Sequence, residues 1–518
     1  MLGRVEPQGS LLQTRHMRRA LVTRGSFYER LAEHGEEFVS DDDFVDLYSK
    51  SHGRPSIPPS VMIKALLCAT HDRTSDYETS RRTRVDSDWK AAMGVDDWFA
   101  GIGATTFSLM RARMVLHDAD NKLFAKTLER AVELGVFKAK LTAIIDSSPV
   151  HGAGAVADTY TLIRKLAGTL ARAMGAHLDP VLAAEALTPA AVKPDIDWQD
   201  PEARRLQLEK MVLCALELLD AADKAEVKDD SAVAEAAGLL AQVIDQDVEV
   251  DGERLALRDG VASDRVISHS DPEMRHGRKS ASRRFDGHKL DVIVDENTEL
   301  VLGVDVRAGN AGDGDGAAGL LDQLQATPGI EVETLLGDMA YSDGDVRVAV
   351  EQHGVEVVAK VPPVSNSGRF PKTDFTVDLA ARSVTCPAGH TTTTVKKTKD
   401  HKGRRAALYV FDKPLCAACP LRDSCVGGKG GRTIMVGVHE ARIQAARAAQ
   451  IDPATKALLR MRCKVERKID HLQDLGMRKA RYRGRRKTKL QAFLAATVAN
   501  IKRLAVLAAL TQTATATT

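Results

Sequence analysis

Apolar positions along this chain recur at two periods, and the change from one to the other divides it into parts. Residues 26 to about 135 repeat at helical spacing. Pro58, Pro59 and a capping Ser60 open the run Val61 to Leu67, which a helix would bury on one side, and a polar break at Asp86-Ser87-Asp88 precedes Trp89 and Met93. Thr105-Thr106 cap Phe107 to Arg113, and a further helix passes through Leu123, Leu128, Val132 and Leu134. Short helices with arginine on exposed positions fit a helix-turn-helix array; the same pattern fits an all-helical dimerisation domain.

Leu141 to Ile145 is a short, nearly continuous apolar run, the pattern of a strand buried on both faces, and Asp146 ends it. From about 155 to 260 the chain turns to alanine- and leucine-rich helices, one opening at Pro201-Glu202 and another spanning Ser231 to Ile244, which read as an insertion because strand signals resume only afterwards. They resume as a hairpin, Lys289 to Val294 turning back through Leu300 to Val306. A helix over Gly314 to Leu324 follows, then a strand, Val332 to Gly337, ending on Asp338. A helix capped by Ser342 or Asp343 closes at Gly354, and Val355 to Val361 is one more strand. Apolar density then drops to about Val436, His439 to Leu475 is mostly helix with an interruption near Pro453, and a last helix covers Leu490 to Leu510.

This order predicts an α/β protein. An N-terminal helical DNA-binding domain would span 1–135, and the catalytic core 136–365 would carry the helical insertion 155–260. A cysteine-rich insertion, 366–435, would precede the second part of the core, 436–510, and a disordered tail, 511–518. The 518 residues are 44% hydrophobic and 28% charged, as in ordinary globular proteins. Net charge is only +2, yet Arg460 to Lys489 holds thirteen basic residues against three acidic ones. The arginine-rich start lacks the apolar core of a secretory signal, and no run of eighteen apolar residues occurs, so the expected location is the cytoplasm, with no membrane partner.

Candidate chemistry centres on carboxylates. Asp146 and Asp338 each stand where an apolar strand run stops, and reactive groups in open α/β sheets gather beyond the carboxyl ends of strands. Glu466 rides a helix, with Arg462 one turn before it and Asp470 one turn after. Taken singly, a strand-end aspartate is usually a turn or cap residue, and a glutamate on a basic helix is usually a surface ion-pair partner. Together, three converging carboxylates repel one another unless divalent cations neutralise them, and hard Mg²⁺ or Mn²⁺ suits such oxygen ligands. A pair of ions there would serve in-line displacement at a phosphodiester, with Arg462 holding Glu466 or the scissile phosphate.

Cys386, Cys416, Cys419 and Cys425 include a Cys-x2-Cys pair, and four thiolates suit a structural Zn²⁺ that would knit a segment poor in apolar residues; His390 is a spare ligand. Ordinary reduced thiols or an iron-sulfur cluster are the alternatives. Cys68, Cys214 and Cys463 sit in helix-patterned runs and read as packing residues.

The sequence of blocks resembles the DDE transposases of bacterial insertion sequences, most closely the branch called the insertion sequence 1182 family, over most of the chain. Gly53 to Ser60 leading into Val61 to Leu67 resembles the family's N-terminal DNA-binding region. Ile144-Ile145-Asp146-Ser147-Ser148 resembles the first catalytic block, Leu336-Gly337-Asp338-Met339-Ala340-Tyr341 the second. Between them, Ser270-Asp271-Pro272-Glu273, Gly277-Arg278-Lys279-Ser280 and Gly287-His288-Lys289-Leu290 resemble the segment leading into the hairpin. The resemblance implies an RNase H-like core, a mixed sheet flanked by helices, with Asp146, Asp338 and Glu466 as its triad. In related enzymes the third block also carries a Tyr before the Arg and a Lys after the Glu; here Leu459 and Gln473 occupy those places, Lys468 or Lys479 could supply the amine, and Glu440 and Asp470 are the substitute acids. Cysteine blocks like this one accompany the branch.

Arg478, Lys479, Arg481, Arg483, Arg485 and Arg486 form a basic stretch suited to phosphates, and Arg278, Lys279 and Lys289 would flank the active site in the same way. Gly152-Ala153-Gly154 lacks the rest of a nucleotide loop, Asp313-Gly314-Asp315-Gly316 lacks the closing Glu of a calcium loop, and His439-Glu440 lacks a second histidine. The expected activity is metal-dependent cleavage and strand transfer at terminal inverted repeats, with double-stranded DNA as partner and a homo-oligomer bringing two ends together. The competing readings are an inactive or domesticated DNA-binding relative and an RNase H-type nuclease.

Overall fold

The computed structural model describes residues 3, 22–48, 56–252, 254–280 and 282–516. Gly53-Arg54-Pro55 of the expected N-terminal motif and most of the arginine-rich start lie outside the described residues.

Among the described residues, six α-helices precede the sheet: α1 (Phe27–Phe38), α2 (Pro59–Asp72), α3 (Asp76–Val85), α4 (Ser87–Met93), α5 (Ala104–Leu116) and α6 (Ala119–Glu133). α2 begins on Pro59, whose fixed φ and missing N–H suit a first helical position. Ser60 is therefore inside the helix rather than its cap, and its N–H donates to Asp41 Oδ1 at 2.9 Å. Likewise α5 starts at Ala104, ahead of the threonines expected to cap it. α2 was expected to bury one side, but Pro59 to Ala69 are all buried, because the helix is sandwiched between its neighbours and the last helix, α17 (Arg485–Ala516).

The main sheet has the order β6-β5-β1-β7-β8, built from β1 (Leu141–His151), β5 (Arg284–Asp295), β6 (Val301–Ala308), β7 (Val332–Gly337) and β8 (Glu356–Ala359). A short β4 (Arg275–Arg278) pairs the start of β5. β5 runs antiparallel to both β1 and β6, whereas β1, β7 and β8 are parallel. The parallel steps are made over helices, α11 (Ala317–Gln325) before β7 and α12 (Gly344–Glu351) before β8. β7 ends at Gly337 as its pattern predicts, and Asp343 caps α12 by accepting from Asp345 N.

β1 differs from expectation. It does not stop at Asp146 but continues to His151, because β5 stays paired along its whole length after β7 has left at Ile144/Leu336. The polar residues Asp146-Ser147-Ser148 thus mark the loss of one neighbour, not the end of the strand.

Between β1 and β4 lie α7 (Thr159–Met174), α8 (Pro180–Ala191), α9 (Pro201–Lys224), α10 (Ser231–Asp247) and the hairpin of β2 (Val248–Asp251) with β3 (Arg254–Leu257). This segment buries its own apolar cluster. After β8, two three-stranded sheets form a second small unit around Phe375, Val384, Tyr409, Phe411, Ile434 and Val436. The first holds β9 (Thr376–Asp378), β10 (Ser383–Thr385) and β11 (Thr391–Thr392). The other holds β12 (Val395–Lys399), β13 (Arg405–Val410) and β14 (Thr433–Gly437), and α13 (Lys413–Ala417) lies between β13 and β14 in sequence. Then come α14 (Glu440–Ala449), α15 (Pro453–Arg460), which opens at the expected proline, α16 (Cys463–Leu472) and α17.

α17 joins the parts. It packs on β6, α6 and α2, so the N-terminal helices and the sheet share one continuous core. Its buried Asn500 accepts from Val301 N at 2.8 Å and donates to Val301 O and Thr127 Oγ1, fastening strand and helix together. Arg485–Leu510 is apolar and long enough to cross a membrane by length and composition, yet 56% of its most apolar window is buried inside the protein, as in a core helix. The helix extends over 511–516, where a frayed tail was expected; Thr517-Thr518 lie outside the described residues.

Candidate functional site

The parallel register sets the first two acids. Since Ile144 pairs with Leu336, Asp146 and Asp338 both stand two residues beyond the last β1–β7 pair. Asp338 turns the chain there, its Oδ1 accepting from Ala340 N at 2.8 Å, so it is a cap as well as a candidate ligand. Tyr341 folds back under this turn. A Cβ on Gly337 would lie 2.6 Å from the Tyr341 side chain, so only glycine admits the ring there.

α16 brings the third group. Arg462, at its N-terminus, places Nη2 3.8 Å from Asp146 Oδ2 and 4.0 Å from Glu466 Oε1. Asp146 is 19% exposed, Arg462 25% and Glu466 60%, so the glutamate lies at the mouth of the site and the aspartate at its floor. Burial pushes the Asp146 carboxyl up to about 6; the Ser147 N–H and Arg462 oppose the rise, while the charges of Asp338 and Glu466 add to it. Tyr341 is fully buried and its hydroxyl has no hydrogen-bond partner; burial, then the nearby carboxylates including Asp146 and Asp338, push its ionisation well up.

The raised carboxyl has a consequence for stability. Below about pH 4 Asp146 is neutral in folded and unfolded chains alike, but above its folded value near 6 a charge must stay buried and the advantage of the neutral form is lost. In chelator, Asp146→Asn is therefore expected to be more stable than the parent by about 2 kcal/mol above pH ~6 and equal to it near pH ~4. Denaturant midpoints measured across that range check this; a difference independent of pH would contradict it.

Sequence reasoning missed several neighbours. Ser148, buried, accepts from Gln473 Nε2 at 2.9 Å, so the residue at the place where the resemblance implies a lysine reaches β1 two positions from Asp146. Of the proposed substitutes, Lys468 is buried, its amine lowered to about 8 chiefly by desolvation, and Lys479 is exposed. At Gln473 the helix widens into a π turn, Gln473–Met477, left through Gly476 at φ +104°. That turn brings the 478–480 segment against the end of β1, His151 N donating to Arg478 O and Ala480 N to His151 O. The basic stretch therefore starts alongside β1, about 16 Å along the strand from Asp146.

Seven of the nine expected DNA contacts are exposed: Arg278, Lys279, Arg478, Lys479, Arg481, Arg483 and Arg485. Four of the nine are nevertheless tied to acids in distant segments. Lys289 is buried, donating to Ala311 O and Asp313 Oδ1, and Ser147 Oγ donates to the same Asp313 oxygen at 2.8 Å. Arg481 binds Asp76 and Thr74 O, Arg485 binds Glu273, and Arg486 grips the fully buried Asp120 with both terminal nitrogens at 2.7 Å. Lysine and arginine read as phosphate ligands from local density are here fasteners between distant segments. Of the substitute acids, Glu440 is buried and paired with Lys372, and Asp470 is exposed.

Cys386, Cys416, Cys419, Cys425 and His390 line one cavity of about 20 Å³, and Arg432 N donates to Cys416 Sγ at 3.5 Å. Burial raises the Cys425 thiol, Arg432 lowers it, and the other three thiols raise it further. Nonetheless, among the described residues no group of three or more His, Cys, Asp or Glu side chains is arranged to hold a metal ion, at the cysteines or at the carboxylates. Sharing a cavity wall is a looser condition than forming a ligand set, so the thiols meet the first and not the second. Cys68 is buried, Cys214 half-buried and Cys463 exposed.

Neither a curated protein nor a solved structure matches the chain. Residues 385–505 match the family model described as Transposase DDE domain, and residues 16–113 match the one described as Transposase domain (DUF772). With Asp146 and Asp338 on neighbouring strands and an arginine between Asp146 and the helix glutamate, these two matches support a DDE transposase.

Proposed function

We propose that this chain binds the terminal inverted repeats of an insertion sequence of the 1182 branch, cleaves them and joins the freed ends to target DNA, acting in the cytoplasm on DNA of the nucleoid. The observation that carries the reading is the register that sets Asp146 beside Asp338 where β7 leaves β1. The strand order β6-β5-β1-β7-β8, with only β5 reversed against both neighbours, supports an RNase H-like core.

The donors at the site are carboxylate oxygens, the chemistry Mg²⁺ and Mn²⁺ prefer, and the raised Asp146 carboxyl is a charge whose burial a cation would relieve. Asp146, Asp338 and Glu466 would hold the ions. When bound there, two divalent ions supply activation of the attacking hydroxyl and stabilisation of the leaving oxygen. Arg462 counters the charge between Asp146 and Glu466 and is placed to steady a phosphate. Water attack breaks the phosphorus–oxygen bond and leaves a 3′-hydroxyl; that hydroxyl then attacks a target phosphorus and expels a target 3′-oxygen. Arg278, Lys279, Arg478, Lys479 and Arg483 would track the backbone, while the N-terminal helices would read sequence.

The test is a labelled end-containing duplex incubated with the purified chain. Cleavage and strand transfer are expected with Mg²⁺ or Mn²⁺ and not in chelator. Binding without cleavage in either metal would favour the domesticated relative, and cleavage only of RNA/DNA hybrids would favour the nuclease. At the cysteines, the four thiols on one cavity support a structural zinc although they do not stand as a ligand set. Elemental analysis is expected to find one zinc per chain, lost in Cys416→Ser; zinc-free parent protein would refute it.

A further inference from the structure

The helical insertion presents a face that the chain itself leaves uncovered. α9 turns Leu208, Met211, Ala215 and Leu218 into the core it shares with α7 and α10. On its other side Leu206, Leu213 and Leu216 are 53, 57 and 47% exposed. Two turns separate the first pair and one turn the second, so the three fall on a single stripe. A helix apolar on opposite faces is a helix buried on both.

The charges beside the stripe say what covers it. Lys210 lies one turn before Leu213 and Glu217 one turn after it, both exposed. A second copy laid antiparallel and crossing at Leu213 and Leu216 sets Lys210 of each chain against Glu217 of the other, and two-fold symmetry makes the contact twice. A parallel copy would set like charges together instead. Arg205 is held within the helix by Glu202 and Glu209, and Asp220 by Lys224, so the charges that decide the pairing are Lys210 and Glu217, with exposed Asp223 on the acidic side.

We propose that α9 is a homodimer surface, two copies of this chain pairing antiparallel through Leu213 and Leu216 with reciprocal Lys210–Glu217 contacts. The pairing involves protein alone and does not depend on the transposase reading, so it can fail while cleavage stands, or stand while cleavage fails.

The full chain, without DNA, is run by size exclusion with light scattering over a concentration series. The parent is expected at twice the chain mass, and Leu213→Glu at the chain mass with unchanged helical circular dichroism. Lys210→Glu alone and Glu217→Lys alone each place like charges across the dyad and are expected to weaken the dimer by at least about tenfold. The two changes combined in one chain restore opposite charges and return the dimer toward the parent. A monomeric parent, a dimer insensitive to Leu213→Glu, or a combined variant as weak as the singles would each overturn the proposal.

Discussion

Asp146→Asn, and separately Asp338→Asn, are each expected to lower end cleavage by on the order of 10³-fold or more while leaving affinity for end DNA within about twofold. The asparagine keeps the shape, and for Asp146 the oxygen that accepts from Ser147 N at 2.7 Å, so the local backbone should hold. What is lost is one negative oxygen among groups whose charges already act on one another. The paired assays distinguish the effect from misfolding: gel-shift affinity preserved with cleavage gone locates the loss in chemistry. Full strand transfer by either variant would remove the strand aspartates from the mechanism. The same Asp146→Asn protein should also be the more stable one above pH ~6, a combination that simple damage to the fold would not produce.

Arg486→Ala is expected to destabilise the protein by about 3 kcal/mol, the largest effect among the basic residues of the C-terminal segment. Asp120 is fully buried, and Arg486 supplies it with two hydrogen bonds and reaches Asp118 as well. Removing the guanidinium leaves a carboxylate in the core between α6 and α17 without its cation. Asp120→Asn combined with Arg486→Gln should recover part of the loss, since neither partner is then charged. Urea midpoints measure both. Arg483, exposed in the same stretch, should behave oppositely: its alanine variant keeps its midpoint and lowers the salt dependence of DNA binding by about one ion. Equal midpoints for the Arg486 and Arg483 variants would contradict the assignment.

Those two arginines show where reading the sequence runs out. Residue spacing finds elements whose causes are local. β7 and its end before Asp338, the Asp343 cap and the break at Pro453 all follow from a few adjacent residues. Partners hundreds of residues away leave no such trace. Asp120 lies 366 positions from Arg486 and Asp76 lies 405 from Arg481, so a basic run that looks like a phosphate track is partly consumed by internal pairs. The extent of β1 failed for a related reason. Polar residues at Asp146 to Ser148 read as a strand end, but what changes there is the departure of β7 on one side while β5 remains. At the site, Asp146 and Asp338 stood out as acids following apolar runs, although β1 continues past the first of them, whereas Gln473 reaching Ser148 and the π turn that folds the basic segment onto His151 are set by contacts far apart in sequence.

α17 carries a consequence for how the chain is made. Helices of the α1–α6 group and the sheet bury their apolar faces against a segment that begins only at Arg485. During synthesis that segment leaves the ribosome after everything it must cover, so α7 to α10, with a cluster of their own, can fold early while the principal interior waits. The order of birth and the order of completion are thus reversed for α1 to α6: made before the sheet, sealed after it.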